Sequence, residues 1–166
     1  MIAFTGSRDV GLQISEKAGK VPTGQVWIKR AVLEMGGKDF ILVDETADLD
    51  QAAAGVVAAA FGFQGQKCSA CSRLIVHEKV HGDLMKKIVE KTKALRVGDV
   101  RDPDVNVGAV INEKAQKKIL EYVEIGRKEG KVVAGGEPGP ADGFFVMPTI
   151  VDEIEPGDRL AREEIF

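Results

Sequence analysis

Cys68, in Gly65-Gln66-Lys67-Cys68-Ser69, and Glu34, in Glu34-Met35-Gly36-Gly37-Lys38, are the two residues whose types suit covalent carbonyl chemistry. A thiolate attacks an electrophilic carbonyl carbon, and a carboxylate activates the water that later releases the acyl group. Glycines flank both, and glycine lets a backbone approach a reacting group closely. Lys67 and local amides favour the thiolate, because a cysteine pKa falls near positive charge. Each residue also has a plainer reading. A free cysteine is often a small buried core residue, and a lone glutamate is usually a solvated charge. Glu34, however, ends an apolar extended run just before two glycines, a poor setting for a purely solvated charge. Cys71 completes a C-x-x-C spacing with Cys68, which raises a redox or metal reading. His77 and His81 are too few and too poorly spaced to complete four zinc ligands. No metal is expected, and Cys71 reads as structural.

These residues need elements to position them. Ile2-Ala3-Phe4 is a short apolar run ending at Thr5-Gly6-Ser7, and a helical pattern through Val10, Leu12, Ile14 and Ala18 follows. Ser7 or Thr5 could cap that helix. Gln25 to Met35 reads as extended. Phe40 to Val43 is a continuous apolar strand, as expected where both faces of a parallel sheet are covered. Asp48-Leu49-Asp50 starts an alanine-rich helix over 51–60, and Phe61 to Gly65 interrupts it before Cys68. A strand at 73–77, an amphipathic helix from about Val80 to Leu95 and a helix over 113–129 capped by Asn112 come next. Lys131 to Ala134 is a further strand. Phe144 to Val151 is extended, with Pro148 suited to an edge. Strands alternating with helices predict an α/β fold, a mainly parallel sheet flanked by helices.

Composition narrows the partners. The 44% hydrophobic and 30% charged content is that of an ordinary soluble globular chain. A net charge of −3 leaves no basic footprint, so no nucleic-acid partner is expected. No apolar run reaches the ~20 residues of a membrane helix, and Met1 to Gly6 lacks the features of a signal peptide. Two cysteines make no disulfide framework, which points to a reducing, cytoplasmic compartment.

Four segments in one order resemble the aldehyde dehydrogenase superfamily. Phe4-Thr5-Gly6-Ser7-Arg8-Asp9-Val10-Gly11 is similar to its coenzyme loop F-T-G-S-x-x-x-G, and Leu33-Glu34-Met35-Gly36-Gly37-Lys38 to its glutamate motif L-E-x-G-G-K. Gly65-Gln66-Lys67-Cys68 resembles the nucleophile motif G-Q-x-C, and Glu163-Glu164-Ile165-Phe166 the start of E-E-I-F-G-P. Gly62 to Arg73, with Gln25 to Arg30, looks most like the 1-pyrroline-5-carboxylate dehydrogenase subgroup, which oxidises glutamate semialdehyde.

The resemblance implies a division of labour. Residues 1–35 would be the C-terminal part of a coenzyme-binding, Rossmann-like domain. Residues 36–166 would be the nucleophile-bearing catalytic domain, truncated at its C-terminal end, so that the isolated fragment is inactive. Cys68 would be the nucleophile and Glu34 the base. Gly6, Ser7 and Gly11 would bind coenzyme, with Ser7 on the pyrophosphate; outside this context the same string is a capped tight turn. Met35 would contribute backbone contact near the nicotinamide, and Glu164 and Phe166 would hold and pack its ribose. Ser69 would bind the substrate carboxylate, against a plain reading as a backbone cap. The coenzyme is NAD, with NADP left open, the substrate a small aldehyde, and the full-length parent a homo-oligomer. Glu34 favours release of a free acid, since members that transfer the acyl group to coenzyme A tend to lack this base. A general aliphatic or semialdehyde dehydrogenase, and a truncated module without catalysis, are the alternatives.

Overall fold

A strand, a helix and a parallel strand open the chain. Strand β1 (Ile2–Thr5) alternates half-buried and exposed residues, the pattern of a strand with one covered face. Helix α1 (Arg8–Gly19) carries the chain across to β2 (Ala31–Glu34), which pairs in parallel from Ile2 opposite Ala31 to Thr5 opposite Glu34. The computed structural model describes residues 1–166 and divides into two compact units, Met1–Gly37 and Lys38–Phe166.

The extended segment expected over 25–35 is a ladder only at Ala31–Glu34. A strand needs a partner, and β1 offers four residues. Before Arg30, Gln25 instead turns its amide back to the Trp27 carbonyl at 2.8 Å. Ser7 does occupy the N-cap of α1, but its side chain makes no capping hydrogen bond.

In the second unit, β3 (Asp39–Val43) and β4 (Cys71–Val76) pair in parallel, joined by α2 (Leu49–Phe61). Asp48 caps α2 by accepting the Asp50 and Gln51 amide protons at 3.0 and 3.1 Å. Helix α3 (Glu78–Lys93) packs on α2, and the core lies between them and the sheet: Val43, Ala53, Val56, Val57, Leu84 and Ile88. Ile41, Leu74 and Val76 pack against that cluster from β3 and β4. Coverage of both sheet faces, expected for Phe40–Val43, is not seen. Phe40 is 56% exposed and Leu42 66%, because α2 and α3 cover one face.

Helix α4 (Glu113–Glu129) begins at Asn112, whose side chain accepts the Ala115 amide proton at 2.9 Å. Strand β5 (Lys131–Ala134) pairs with β6 (Ile150–Asp152) in antiparallel fashion. The fold is α/β, with parallel ladders in β1–β2 and β3–β4 and an antiparallel one in β5–β6. Extended pairing over 144–151 is interrupted. Pro148 lacks an amide proton, so only Ile150–Asp152 joins β5, with an isolated bridge between Pro138 and Val146. Helix α5 (Arg159–Arg162) is a single turn near the chain end.

Candidate active site

The polypeptide reaches Cys68 through unusual backbone. After α2, Gly62–Gly65 form a short 3-10 turn in which Phe63 (φ 56°, ψ 39°) and Gln64 (φ 58°, ψ 18°) are left-handed. Gly65 follows at φ 69°, where a Cβ would also lie 2.8 Å from the Ala60 carbonyl oxygen. Non-glycine residues there cost about 1–3 kcal/mol each and persist only where the surroundings over-determine them. Hydrogen bonds do so here. The Gln66 amide donates to Phe63 O at 3.1 Å, Lys67 to Gly65 O at 2.9 Å and Ala70 to Lys67 O at 3.1 Å. Cys68 and Ser69 form the exposed tip of that last turn. Ala70 is buried beneath it.

Ser69 precedes β4 rather than a helix, so there is no helix end for its hydroxyl to cap. Cys71 differs from Cys68. It is half-buried at the start of β4, its thiol donates to the Arg73 carbonyl at 3.3 Å, and burial pushes that thiol above the ordinary cysteine pKa. No group of three or more histidines, cysteines and carboxylates is arranged to hold a metal.

Glu34 lies in the other unit, exposed at the end of β2. Its carbonyl accepts the Gly6 amide proton at 3.0 Å, so the β2 end and the turn before α1 are one hydrogen-bonded structure. Gly6, Ser7, Gly11, Glu34 and Met35 are thereby brought together. At two of these positions a side chain would displace a neighbour. A Cβ on Gly6 would meet the Phe4 ring at 2.5 Å, and one on Gly11 would meet the Met35 sulfur at 2.5 Å. The Met35 side chain is thus spent on Gly11. Ser7 keeps an uncommitted hydroxyl at the N-terminus of a 12-residue helix, where amide protons and the helix dipole favour an anion.

Glu164 and Phe166 lie at the other end of the second unit. The Glu164 carbonyl accepts from Lys118 Nζ at 3.1 Å, and Phe166 is 47% exposed. Lys38 joins this region electrostatically: burial and then Arg73 push its ammonium below the ordinary lysine pKa, against the opposing pull of Glu164 and Glu163. Arg73 donates to the Lys38 carbonyl at 2.6 Å and lies 5.7 Å from the Phe40 ring centroid.

Four side chains here escaped the sequence reading. Lys38 and Arg73 are an unmarked lysine and arginine until β3 and β4 pair. Gln64 and Gln66 flank Gly65, a weak signal by themselves, yet both amides reach the 108–111 stretch.

Comparison with known proteins gives the family of the chain. The profile of the aldehyde dehydrogenase family matches residues 1–166. Over 165 residues, 99% of the chain, it is 53% identical to a 1-pyrroline-5-carboxylate dehydrogenase of Geobacillus sp. (strain WCH70) and 50% identical to one of Bacillus subtilis (strain 168). It spans 32% of the length of each, about a third. A crystal structure of 1-pyrroline-5-carboxylate dehydrogenase from Thermus with bound NAD superposes with TM-score 0.94 at 47% identity, covering 99% of this chain and 32% of that one.

Proposed function

This chain belongs to the aldehyde dehydrogenase family, and we propose that it supplies the thiol and the carboxylate of an enzyme that oxidises L-glutamate 5-semialdehyde, the open form of 1-pyrroline-5-carboxylate, to glutamate. The observation that carries this reading is Cys68, exposed at the tip of a turn braced by hydrogen bonds, in a chain about half identical to proteins of that name. Because it spans 32% of their length, turnover belongs to the longer protein and none is expected of the 166 residues alone. In this reading residues 1–35 close a coenzyme-binding domain and 36–166 belong to the catalytic domain.

The thiolate of Cys68 attacks the aldehyde carbon. A carbon–sulfur bond forms and the oxygen takes the π electrons, giving a thiohemiacetal on Sγ. A bound nicotinamide dinucleotide supplies the hydride acceptor that this oxidation needs. Cys68 then carries the acyl group as a thioester. Glu34 takes a proton from water, the hydroxide adds to the thioester carbonyl, and the carbon–sulfur bond breaks to release acid and thiolate.

Coenzyme binding falls to this chain's residues in part. The Ser7 hydroxyl and the turn of Gly6 to Gly11 would hold the pyrophosphate, the Met35 backbone would contact the nicotinamide, and Glu164 and Phe166 would hold and pack its ribose. The uncommitted hydroxyl at a helix N-terminus supports the fit. NAD is favoured because the Thermus relative has NAD bound. Ser69, beside the nucleophile, takes the substrate carboxylate. A nucleophilic thiol must stay reduced, which suits a cytoplasmic setting; no helix here is long and apolar enough to cross a membrane. The parent is a homo-oligomer in this reading.

Two variants of the full-length protein test it. Cys68→Ser should abolish turnover. Glu34→Gln should give a burst of about one reduced coenzyme per site and then a slow steady state, with the acyl group trapped on Cys68. A glutamine variant with an undiminished steady-state rate would remove Glu34 from the mechanism.

A further inference from the structure

We propose that Gln66 is a positioning residue for Cys68, its side-chain oxygen anchoring the nucleophile turn to the 107–111 segment. This rests on the reading of Cys68 as nucleophile. Three consecutive residues before Gln66 are left-handed, two of them not glycine, so the local sequence does not favour the conformation in which Cys68 is presented. Contacts from outside the turn add to the hydrogen bonds within it.

Two amides from the turn reach the same stretch of chain. Gln66 Oε1 accepts the Ile111 amide proton at 2.9 Å. The Gln64 amide spans from the Phe63 carbonyl, 3.0 Å from its nitrogen, to the Gly108 amide, 2.9 Å from its oxygen. Gly108 makes room for this, since a Cβ there would lie 2.9 Å from the end of the Gln64 side chain. The stretch that receives them is firmly held. Val107 and Val110 are buried, Val107 donates to Arg96 O at 3.1 Å and Val110 to Phe144 O at 2.9 Å. Gln66 is therefore tied to a fixed abutment two residues before Cys68.

The chemistry of the side chain singles out its oxygen. Gln66 Nε2 is buried and donates to nothing in the structure. Burying an unpaired amide nitrogen is unfavourable, so a residue chosen only to fill this space would be apolar. Gln66→Met keeps the length and removes the acceptor. Gln66→Glu keeps an acceptor for Ile111.

Steady-state kinetics of the full-length protein separate positioning from filling. Misplacing a reacting group by ~1 Å costs about 10²-fold, so Gln66→Met should lower kcat by about 10- to 100-fold. The KM values for aldehyde and NAD should not change, and Gln66→Glu should recover most of the loss. Full kcat in Gln66→Met, or equal losses in the methionine and glutamate variants, would overturn the proposal. Should the methionine variant not fold, native-state hydrogen exchange of the unaltered protein decides: the Ile111 amide should be protected like that of Val110, and free exchange would overturn it. Cys68→Ser serves as the control for the underlying mechanism. A dead serine variant beside a fully active methionine variant defeats only the role of Gln66, whereas an active serine variant defeats both readings.

Discussion

Glu163 and Glu164 are adjacent in sequence and bound to different partners. Glu163 accepts from the Tyr122 hydroxyl at 2.7 Å and pairs with Arg159 at 2.8 Å. The Arg159 hydrogen bond, then that of Tyr122, holds its carboxyl down at about 2. The same bond to Glu163, followed by burial, raises the Tyr122 phenol above its ordinary pKa. The signs of the two contributions to stability are opposite. The carboxylate contribution is complete above about 4.5 and is lost as pH falls toward 2; the phenol contribution is complete below about 10 and is lost as pH rises through the raised value. Tyr122 is the single tyrosine, so phenolate absorbance reports it alone. Its midpoint should lie above 10 and fall toward 10 in Glu163→Gln; an unchanged midpoint would deny the coupling. The cysteines offer a second contrast. Iodoacetamide should label exposed Cys68 before half-buried Cys71, whose thiol burial has raised, and equal labelling followed by mass spectrometry would contradict the placement. Cys68 and Glu34 could be singled out as candidates because residue type and flanking glycines suggest chemistry locally. Gln66 was not, because its partner is an amide 45 residues away.

Elements with punctuation at both ends were the readable ones. Helix α4 starts at Asn112 and ends at Gly130, and a polar cap followed later by glycine marks such a helix within the sequence itself. Asn112→Ala should cost about 1 kcal/mol, measured by urea denaturation. The segments 25–35 and 144–151, read as extended, form ladders only at Ala31–Glu34 and Ile150–Asp152 for a shared reason: β character was present, but ladder partners are a property of tertiary structure. The α2–α3 core shows the same dependence. Leu84 is fully buried, flanked by the cluster of Val43, Ala53, Val56, Val57 and Ile88. Leu84→Ala should destabilise the second unit by about 2–5 kcal/mol through lost transfer energy and a residual cavity. A change well under 1 kcal/mol in the same titration would mean that the two helices do not close on the sheet as described.

At the scale of the whole molecule the surface is more apolar than the net charge of −3 suggests. In the first unit Val26, Trp27 and Ile28 are each more than 80% exposed, a run of three with no ladder to hold it. The second unit presents Phe40, Leu42 and Ile75 on the open face of the β3–β4 sheet. Alternation along β3 and the parallel register place these three side chains on one surface. Sequence inspection read Phe40 to Val43 as apolar and covered on both faces, whereas Phe40 and Leu42 lie on the face without a cover. Contiguous apolar patches of this kind drive association in water, and −3 on 166 residues provides little repulsion to oppose it. The 166-residue polypeptide should therefore self-associate, its weight-average sedimentation coefficient rising with concentration. Paired Phe40→Ser and Leu42→Ser substitutions should weaken that rise by removing the open sheet face while leaving the α2–α3 core intact. Trp27, the single tryptophan, gives an independent signal from the first unit: its emission should shift to the blue only if that run is also covered on association. A monomer at high concentration, with red-shifted emission throughout, would show that neither surface is adhesive.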